Sequence, residues 1–303
     1  MGSTELFVTW TMDCETIRDE TPATGGPETW ALAERSMRGY VESLSARGHR
    51  ATLFLVPRLA EGLPDVVREL GSSGAELGLH LHPQTNDLGF DRHLGQLPAE
   101  TQRALLEQCR DRVAAVTGAA PTSFRPGCFS ATWETFPILT ELGFTQGSVT
   151  LPGRNNPGVG AVWANDCPFA HWREGNGGMG LLELPTASDL GEVGPHREAA
   201  CDPKHLRLER DGIADWGPGL IREHVRRQVE LDWWLKSVVV MTHDTRYYDD
   251  PADPYRRNLE LIADAIESGA REFDLEIVPA TLAQVRAIVS DASQGTGRIN
   301  DHV

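Results

Sequence analysis

Three shortages narrow the reading of this 303-residue chain before any motif is considered. Cysteine is scarce: Cys14, Cys109, Cys128, Cys167 and Cys201 are odd in number, widely spaced and form no CxxC pair. That pattern excludes zinc-finger and dithiol redox motifs and fits reduced thiols better than a disulfide framework. Basic charge is short as well. Lys and Arg total 28 against 44 Asp and Glu, a formal net charge of -16, whereas surfaces that bind nucleic acid or anionic membrane are built from clustered Lys and Arg. Neither kind of partner is expected. Long apolar runs are missing too, since no stretch approaches the roughly eighteen residues of a membrane span. The first fifteen residues carry Glu5, Asp13 and Glu15 in place of a basic start and an apolar run, so no secretory signal and a cytoplasmic location are expected.

What is present is a regular alternation of short apolar strands and amphipathic helices. Leu6-Phe7-Val8-Thr9-Trp10-Thr11 is β-branched and aromatic-rich and runs into Met12-Asp13-Cys14-Glu15. Residues 28–47 show helical spacing up to Gly48, 52–56 form a strand halted by Pro57, and 63–70 read as a helix. A third strand, Glu76-Leu77-Gly78-Leu79-His80-Leu81-His82, stops at Pro83. Further helices are expected over 98–117, 132–142, 220–235, 254–268 and 281–289. Strands are expected near 121–124, 144–149, 181–185, 237–242 and 275–278. Residues 152–180 and 191–217 are irregular excursions, the first rich in Gly, Asn, Pro and Trp. No phosphate-binding glycine loop follows the first strand, which weakens a nucleotide-binding reading. This rhythm predicts an α/β fold, a distorted (β/α) barrel of about seven parallel strands. One domain is expected over 1–290, with a polar, disordered tail from 291 to 303.

The polar residues fall at strand ends. Residues two apart on a strand share a face, so His80 and His82 present their imidazoles side by side, about 7 Å apart at Cα. Two neutral imidazoles chelate a transition metal once a carboxylate joins them, and Asp13 and Glu15 share the same spacing of two on a neighbouring strand. Arg125 follows one strand and His243 another, placing all these groups at the end of a barrel where enzymes build their sites. Taken singly, each has a blander reading: a lone histidine is more often structural, and an arginine more often pairs with a surface acid. The acidic run 244–253 reads as a solvated loop. Together, a carboxylate and two imidazoles leave room for water and a substrate oxygen. A second carboxylate can accept a proton, Arg125 can orient that base, and a histidine across the cavity can protonate a leaving amine.

In order and placement these stretches resemble the polysaccharide deacetylases, the NodB-homology group of carbohydrate esterases. Thr11-Met12-Asp13-Cys14-Glu15 looks like the family's first motif, 76–82 is similar to its histidine motif, Phe124-Arg125-Pro126-Gly127 to its arginine motif, and Val240-Met241-Thr242-His243 to its last. The resemblance implies an incomplete barrel and removal of N- or O-acetyl groups from sugars with a divalent metal, zinc foremost. It implies Asp13 as base, Glu15, His80 and His82 as ligands, Arg125 as one wall and His243 as acid. Two positions depart from the common pattern: the second acid is separated from Asp13 by Cys14, and the residue four beyond His80 is Gln84. The expected substrate is a small molecule or oligosaccharide containing an amino sugar, with Trp163, Phe169 and Trp172 as rings that could stack on it or pack the barrel mouth. Two alternatives stand beside the deacetylase: a metal-independent hydrolase of a cyclic amide or ureide, and a sugar-binding protein without turnover.

Overall fold

β1 (Glu5–Cys14) is the axis of the molecule. Its even-numbered side chains Leu6, Val8, Trp10, Met12 and Cys14 join the large core shared with the helices, while Phe7 belongs to a second cluster inside the sheet with Phe54, Leu182 and Val239. Because successive residues alternate faces, Thr9, Thr11 and Asp13 lie on the same inner side as Phe7. Both faces are buried, which is why the strand reads as a near-continuous apolar run. A computed structural model describes residues 4–21, 25–173, 180–189 and 201–296.

The remaining strands are β2 (Ala51–Leu55), β3 (Glu76–Leu81), β4 (Ser123–Pro126), β5 (Gln146–Gly147), β8 (His171–Arg173), β9 (Leu181–Glu183), β10 (Lys236–His243) and β11 (Glu276–Pro279), with β6 (Asn155–Asn156) and β7 (Ala161–Val162) forming a separate hairpin. The main sheet runs β10-β1-β2-β3-β4-β5-β9-β8, with β11 also on β1. Only β8 is antiparallel to its neighbour. One edge of β1 is divided between two partners: Glu5–Val8 pair with β11 and Trp10–Cys14 with β2. The two flanks of the curled sheet are then tied together. Ala187 N–H donates to the Val239 carbonyl, Leu206 N–H to that of Ala187, and Met241 N–H to that of Leu206. The expected distorted barrel of parallel strands is what the chain forms.

Eight helices surround the sheet among the described residues: α1 (Trp30–Ser45), α2 (Pro57–Gly62), α3 (Pro64–Ser72), α4 (Ala99–Thr117), α5 (Thr135–Glu141), α6 (Ile213–Glu230), α7 (Pro254–Glu272) and α8 (Leu282–Thr296). α8 closes the inner cluster with Leu282, Val285 and Val289. Three boundaries differ from the sequence reading. Pro57 starts α2 where it was expected only to stop a strand, because at a helix's first position its fixed φ helps and its missing N–H costs nothing. α6 begins at Ile213 and runs through Pro218. Packing overrides propensity here, for a Cβ on Gly217 would come within 2.7 Å of Ile262 on α7. α8 continues to Thr296, beyond the expected end of the domain at 290, and residues 297–303 of the expected tail lie outside the described residues.

Candidate active site

The parallel register sets the site. His243 at the end of β10 stands beside Asp13 on β1, and His80 on β3 beside Arg125 on β4. Asp13, Glu15, His80, His82 and Arg125 are all buried. Glu15 Oε1 lies 3.0 Å from His82 Nε2 and 3.3 Å from His80 Nε2. One ligand atom from each of the three falls within 4.8 Å of the others. Asp13 takes a different partner: Arg125 Nη1 donates to its Oδ1 at 2.8 Å and to Thr11 Oγ1 at 2.8 Å. Thr11 in turn donates to the Val240 carbonyl, so one hydrogen-bonded chain links β4, β1 and β10. The other oxygen of Asp13 is 3.9 Å from both His80 Nε2 and His243 Nε2.

The three converging residues fit a divalent metal ion. His80 Nδ1 is 2.9 Å from the Arg125 carbonyl, which can only accept, so that nitrogen carries a proton and in the neutral ring Nε2 keeps its lone pair. His80 Nε2 and Glu15 Oε2 are buried without a hydrogen-bond partner among the described residues. A carboxylate and two imidazoles are a donor set suited to zinc-like ions. His82 reaches this position because residue 127 is glycine: a Cβ there would sit 2.2 Å from the His82 ring.

Charges oppose burial throughout the cluster. Burial would raise the pKa of Asp13, but Arg125, His80 and His243 hold it below the usual range. Burial acts likewise on Glu15, and His82 and His80 hold it well below. For His80 burial works to lower the pKa, and Asp13 and Glu15 outweigh it.

Two residues beside the site had no signal in the sequence. Glu209, in the excursion 191–217, accepts from Thr242 Oγ1 at 2.6 Å and from the His243 backbone N–H, and its Oε1 is 3.5 Å from His243 Nδ1. It is brought there by bridging of 206–208 to Met241. Asp244, expected in a solvated loop, is fully buried, and burial followed by the charge of Glu15 raises its pKa well above the carboxylate range. Tyr248 of the same run is buried too, so that expectation is corrected for both residues.

The three aromatic candidates are not brought together. Trp163 is 2% exposed, donates its indole N–H to the Phe129 carbonyl, and packs on Phe136 and Trp133. Phe169 is buried against His224 and Trp233, and Trp172 stacks on Trp234 beneath Arg286. In this conformation the rings of Trp163 and Phe169 are core, because their faces are already covered. The indole left open is Trp133, 65% exposed and propped by Trp163.

Fold and site together describe a barrel with carboxylates and histidines gathered at its strand ends. A family model, Polysaccharide deacetylase, matches residues 27–147, the segment that carries His80, His82 and Arg125. Solved structures similar to the chain include a Mycobacterium smegmatis protein assigned as a polysaccharide deacetylase, at 17% identity and a TM-score of 0.61, covering 97% of this chain and 92% of that one. An allantoinase is similar at 13% identity and 0.57, covering 96% and 91%. A Pseudomonas aeruginosa PAO1 protein also assigned as a polysaccharide deacetylase is similar at 12% and 0.52, covering 93% and 90%. At these identities the structures speak to the fold alone. No curated protein sequence matches the chain. The match to the polysaccharide deacetylase model is confined to residues 27–147 of the 303. Among the described residues no helix is long and apolar enough to cross a membrane.

Proposed function

We propose that this protein removes an N-acetyl group from a small substrate containing an amino sugar, with a divalent metal, zinc, held by Glu15, His80 and His82. The observation that carries this reading is the convergence of one carboxylate and two imidazoles, with Asp13 on one side of them and His243 3.9 Å beyond it. Bound there, the metal would polarise the amide carbonyl and make water easier to ionise.

The chain's own residues supply the proton transfers. Asp13 Oδ1 is occupied by Arg125, so its free oxygen, Oδ2, is the one that takes a proton from the attacking water. Arg125 fixes that carboxylate's orientation and keeps it ionised despite burial. His243 delivers a proton to the departing amine, with Glu209 Oε1 3.5 Å from its Nδ1. The division of labour between the first two acids follows from their partners. Asp13 faces an arginine and two ring nitrogens, whereas Glu15 faces only the two histidines that share the proposed ligand role.

Metal analysis of the purified protein, together with an acetate-release screen over N-acetylated sugars and small metabolites, tests the reading. His80→Ala and His82→Ala should each lose bound metal and acetate release together. Full activity in the double variant would sink the metal assignment, and hydrolysis of a cyclic ureide untouched by chelator would favour the metal-independent alternative.

A further inference from the structure

Residues 206–208 are pinned alongside β10 by the Met241 to Leu206 and Leu208 to Met241 hydrogen bonds, and a turn closed by the Arg210 N–H on the Arg207 carbonyl then carries Glu209 beside His243. Leu206 and Leu208 enter the core, which leaves His205, Arg207 and Glu209 on the side away from it. The flanking two identify that face as the wall of the site, since His205 packs edge-on against Phe129 and Glu209 lies beside His243. Arg207 is therefore carried between them. Its surroundings agree. Burial raises the pKa of the Cys128 thiol, Arg154 and Arg207 pull it down, and Glu15 and Asp13 push it further up, so all four charges act on one exposed residue of the β4 exit.

Arg207 meets Glu209 through Nε alone, as Arg35 meets Asp249 and Arg227 meets Glu223, but it is the one of the three whose acid lies beside His243. Arg58, Arg112 and Arg38 each grip a glutamate with two nitrogens, the geometry a guanidinium adopts when a carboxylate is its only business. Arg154, beside Arg207, grips Asp202 with two nitrogens as well. Arg207 touches Glu209 only through Nε, at 3.3 Å. Its terminal nitrogens have no partner among the described residues. The Arg207 side chain is 38% exposed, whereas that of Glu209 is 4% exposed. The arrangement is a guanidinium held at Nε by Glu209 with its outer end part-exposed.

We propose that Arg207 is a specificity-determining residue that receives a carboxylate or phosphate group carried by the substrate. The inference rests on the deacetylase reading for its orientation. Glu209 and Arg207 stand on the side of His243, the residue that protonates the leaving amine, so the anionic group belongs to the amine half of the substrate and stays on the amino-sugar product. A neutral amino sugar would leave the guanidinium unused.

Binding is measured by calorimetry with glucosamine, glucosamine 6-phosphate, glucosamine 1-phosphate and muramic acid, titrated into the wild type and into Arg207→Gln and Arg207→Lys. A charge-assisted hydrogen bond is worth about 1.5–3 kcal/mol, so the wild type should bind at least one anionic sugar roughly 10- to 100-fold more tightly than glucosamine. The phosphates and the carboxylate distinguish the two anion chemistries. Arg207→Gln should abolish the preference, Arg207→Lys should keep part of it, and thermal melting should show both variants folded. Equal binding of neutral and anionic sugars by the wild type, or a preference that survives in Arg207→Gln, overturns the proposal. If Arg207 served only to steady Glu209, Arg207→Gln would instead lower kcat alike for neutral and anionic N-acetyl substrates with no change in KM, which also overturns it. Loss of the binding preference in a protein that releases no acetate from any probe would leave Arg207 as the anion site and refute the deacetylase reading alone.

Discussion

The two walls of the site are built in opposite ways. Asp13, Glu15, His80, His82 and Arg125 project from the ends of three parallel strands, so sheet register alone fixes their spacing. Facing them, only His243 stands on a strand, while Glu209 and Arg207 come from an irregular segment held to β10 by bridging hydrogen bonds. The first wall is dense with compensated charge: a buried arginine, two buried acids and two buried imidazoles. The second is more open, with Arg207 part-exposed. A strand-built wall suits groups that must hold reacting atoms within fractions of an ångström, and a segment-built wall suits groups that sort substrates. Each prediction below probes one side of that contrast.

The largest effect is expected on the strand-built wall. Asp13→Ala leaves Arg125 buried without its carboxylate, a loss on the order of 3–5 kcal/mol in stability, and removing the proposed proton acceptor should lower turnover by about 10²- to 10⁴-fold. Asp13→Asn separates the two roles. Its side-chain oxygen can still accept from Arg125, so denaturant unfolding should show most of the stability restored while acetate release stays low. Recovery of both would mean that Asp13 serves only to neutralise Arg125.

Next comes the seam where the two walls meet. Glu183, at the end of β9, is fully buried and accepts from the N–H groups of Val149 and Thr150 with one oxygen, the other having no partner among the described residues. Burial pushes its pKa up to about 7, against the pull of Arg173 and those amides. The folded chain thus holds this proton more firmly than the unfolded chain, whose carboxyl titrates near 4.5. The contribution is fully present below that value and is lost as pH rises to about 7, amounting to about 3 kcal/mol. Urea midpoints at pH 5 and pH 7.5 should diverge in the wild type and converge in Glu183→Gln. An unchanged difference in the variant would show that the titration lies elsewhere.

A smaller change tests how tightly the strand-built wall is packed. Gly127→Ala places a methyl group where the His82 ring now lies, and overpacking of this kind costs about 1–3 kcal/mol. The ring must move, so metal retention during dialysis should fall more than the melting temperature does. Unchanged metal content would mean that His82 is not needed as a ligand.

This contrast also explains what the sequence made legible. The acids and histidines of β1 and β3 announced themselves because period-two spacing on a buried strand directs both members of each pair to one face, and the register of parallel strands then sets the pairs side by side. His243 and Arg125 were legible as polar residues at the ends of apolar runs. Glu209 was not. Its segment has no periodicity long enough to read, and its position follows from a bridge to Met241 some thirty residues away in sequence. The packing of the aromatic candidates was illegible for a related reason: composition shows that Trp163 is an indole near the mouth, but not that its N–H is already bonded to Phe129 and its faces covered. Asp244 looked solvated because it opens an acidic run, yet its backbone N–H bonds to the Asp13 carbonyl and draws it under the site.

The smallest expected effect falls on the segment-built wall. In Glu209→Gln the Thr242 hydroxyl and the His243 amide keep an acceptor, so the fold around β10 should be nearly unchanged. What disappears is the negative charge 3.5 Å from Nδ1 of His243, the proposed proton donor to the amine. The substitution should lower kcat by roughly 10- to 100-fold, about 1.4–2.7 kcal/mol of barrier, while KM for a neutral N-acetyl sugar stays close to that of the wild type. Asp13→Asn should affect kcat more severely, because in the proposed reaction the base acts on the attacking water directly and Glu209 acts only through His243. If Glu209→Gln instead matched the loss in Asp13→Asn, the two walls would contribute equally to the chemistry, and the separation between a wall that reacts and a wall that sorts would no longer hold.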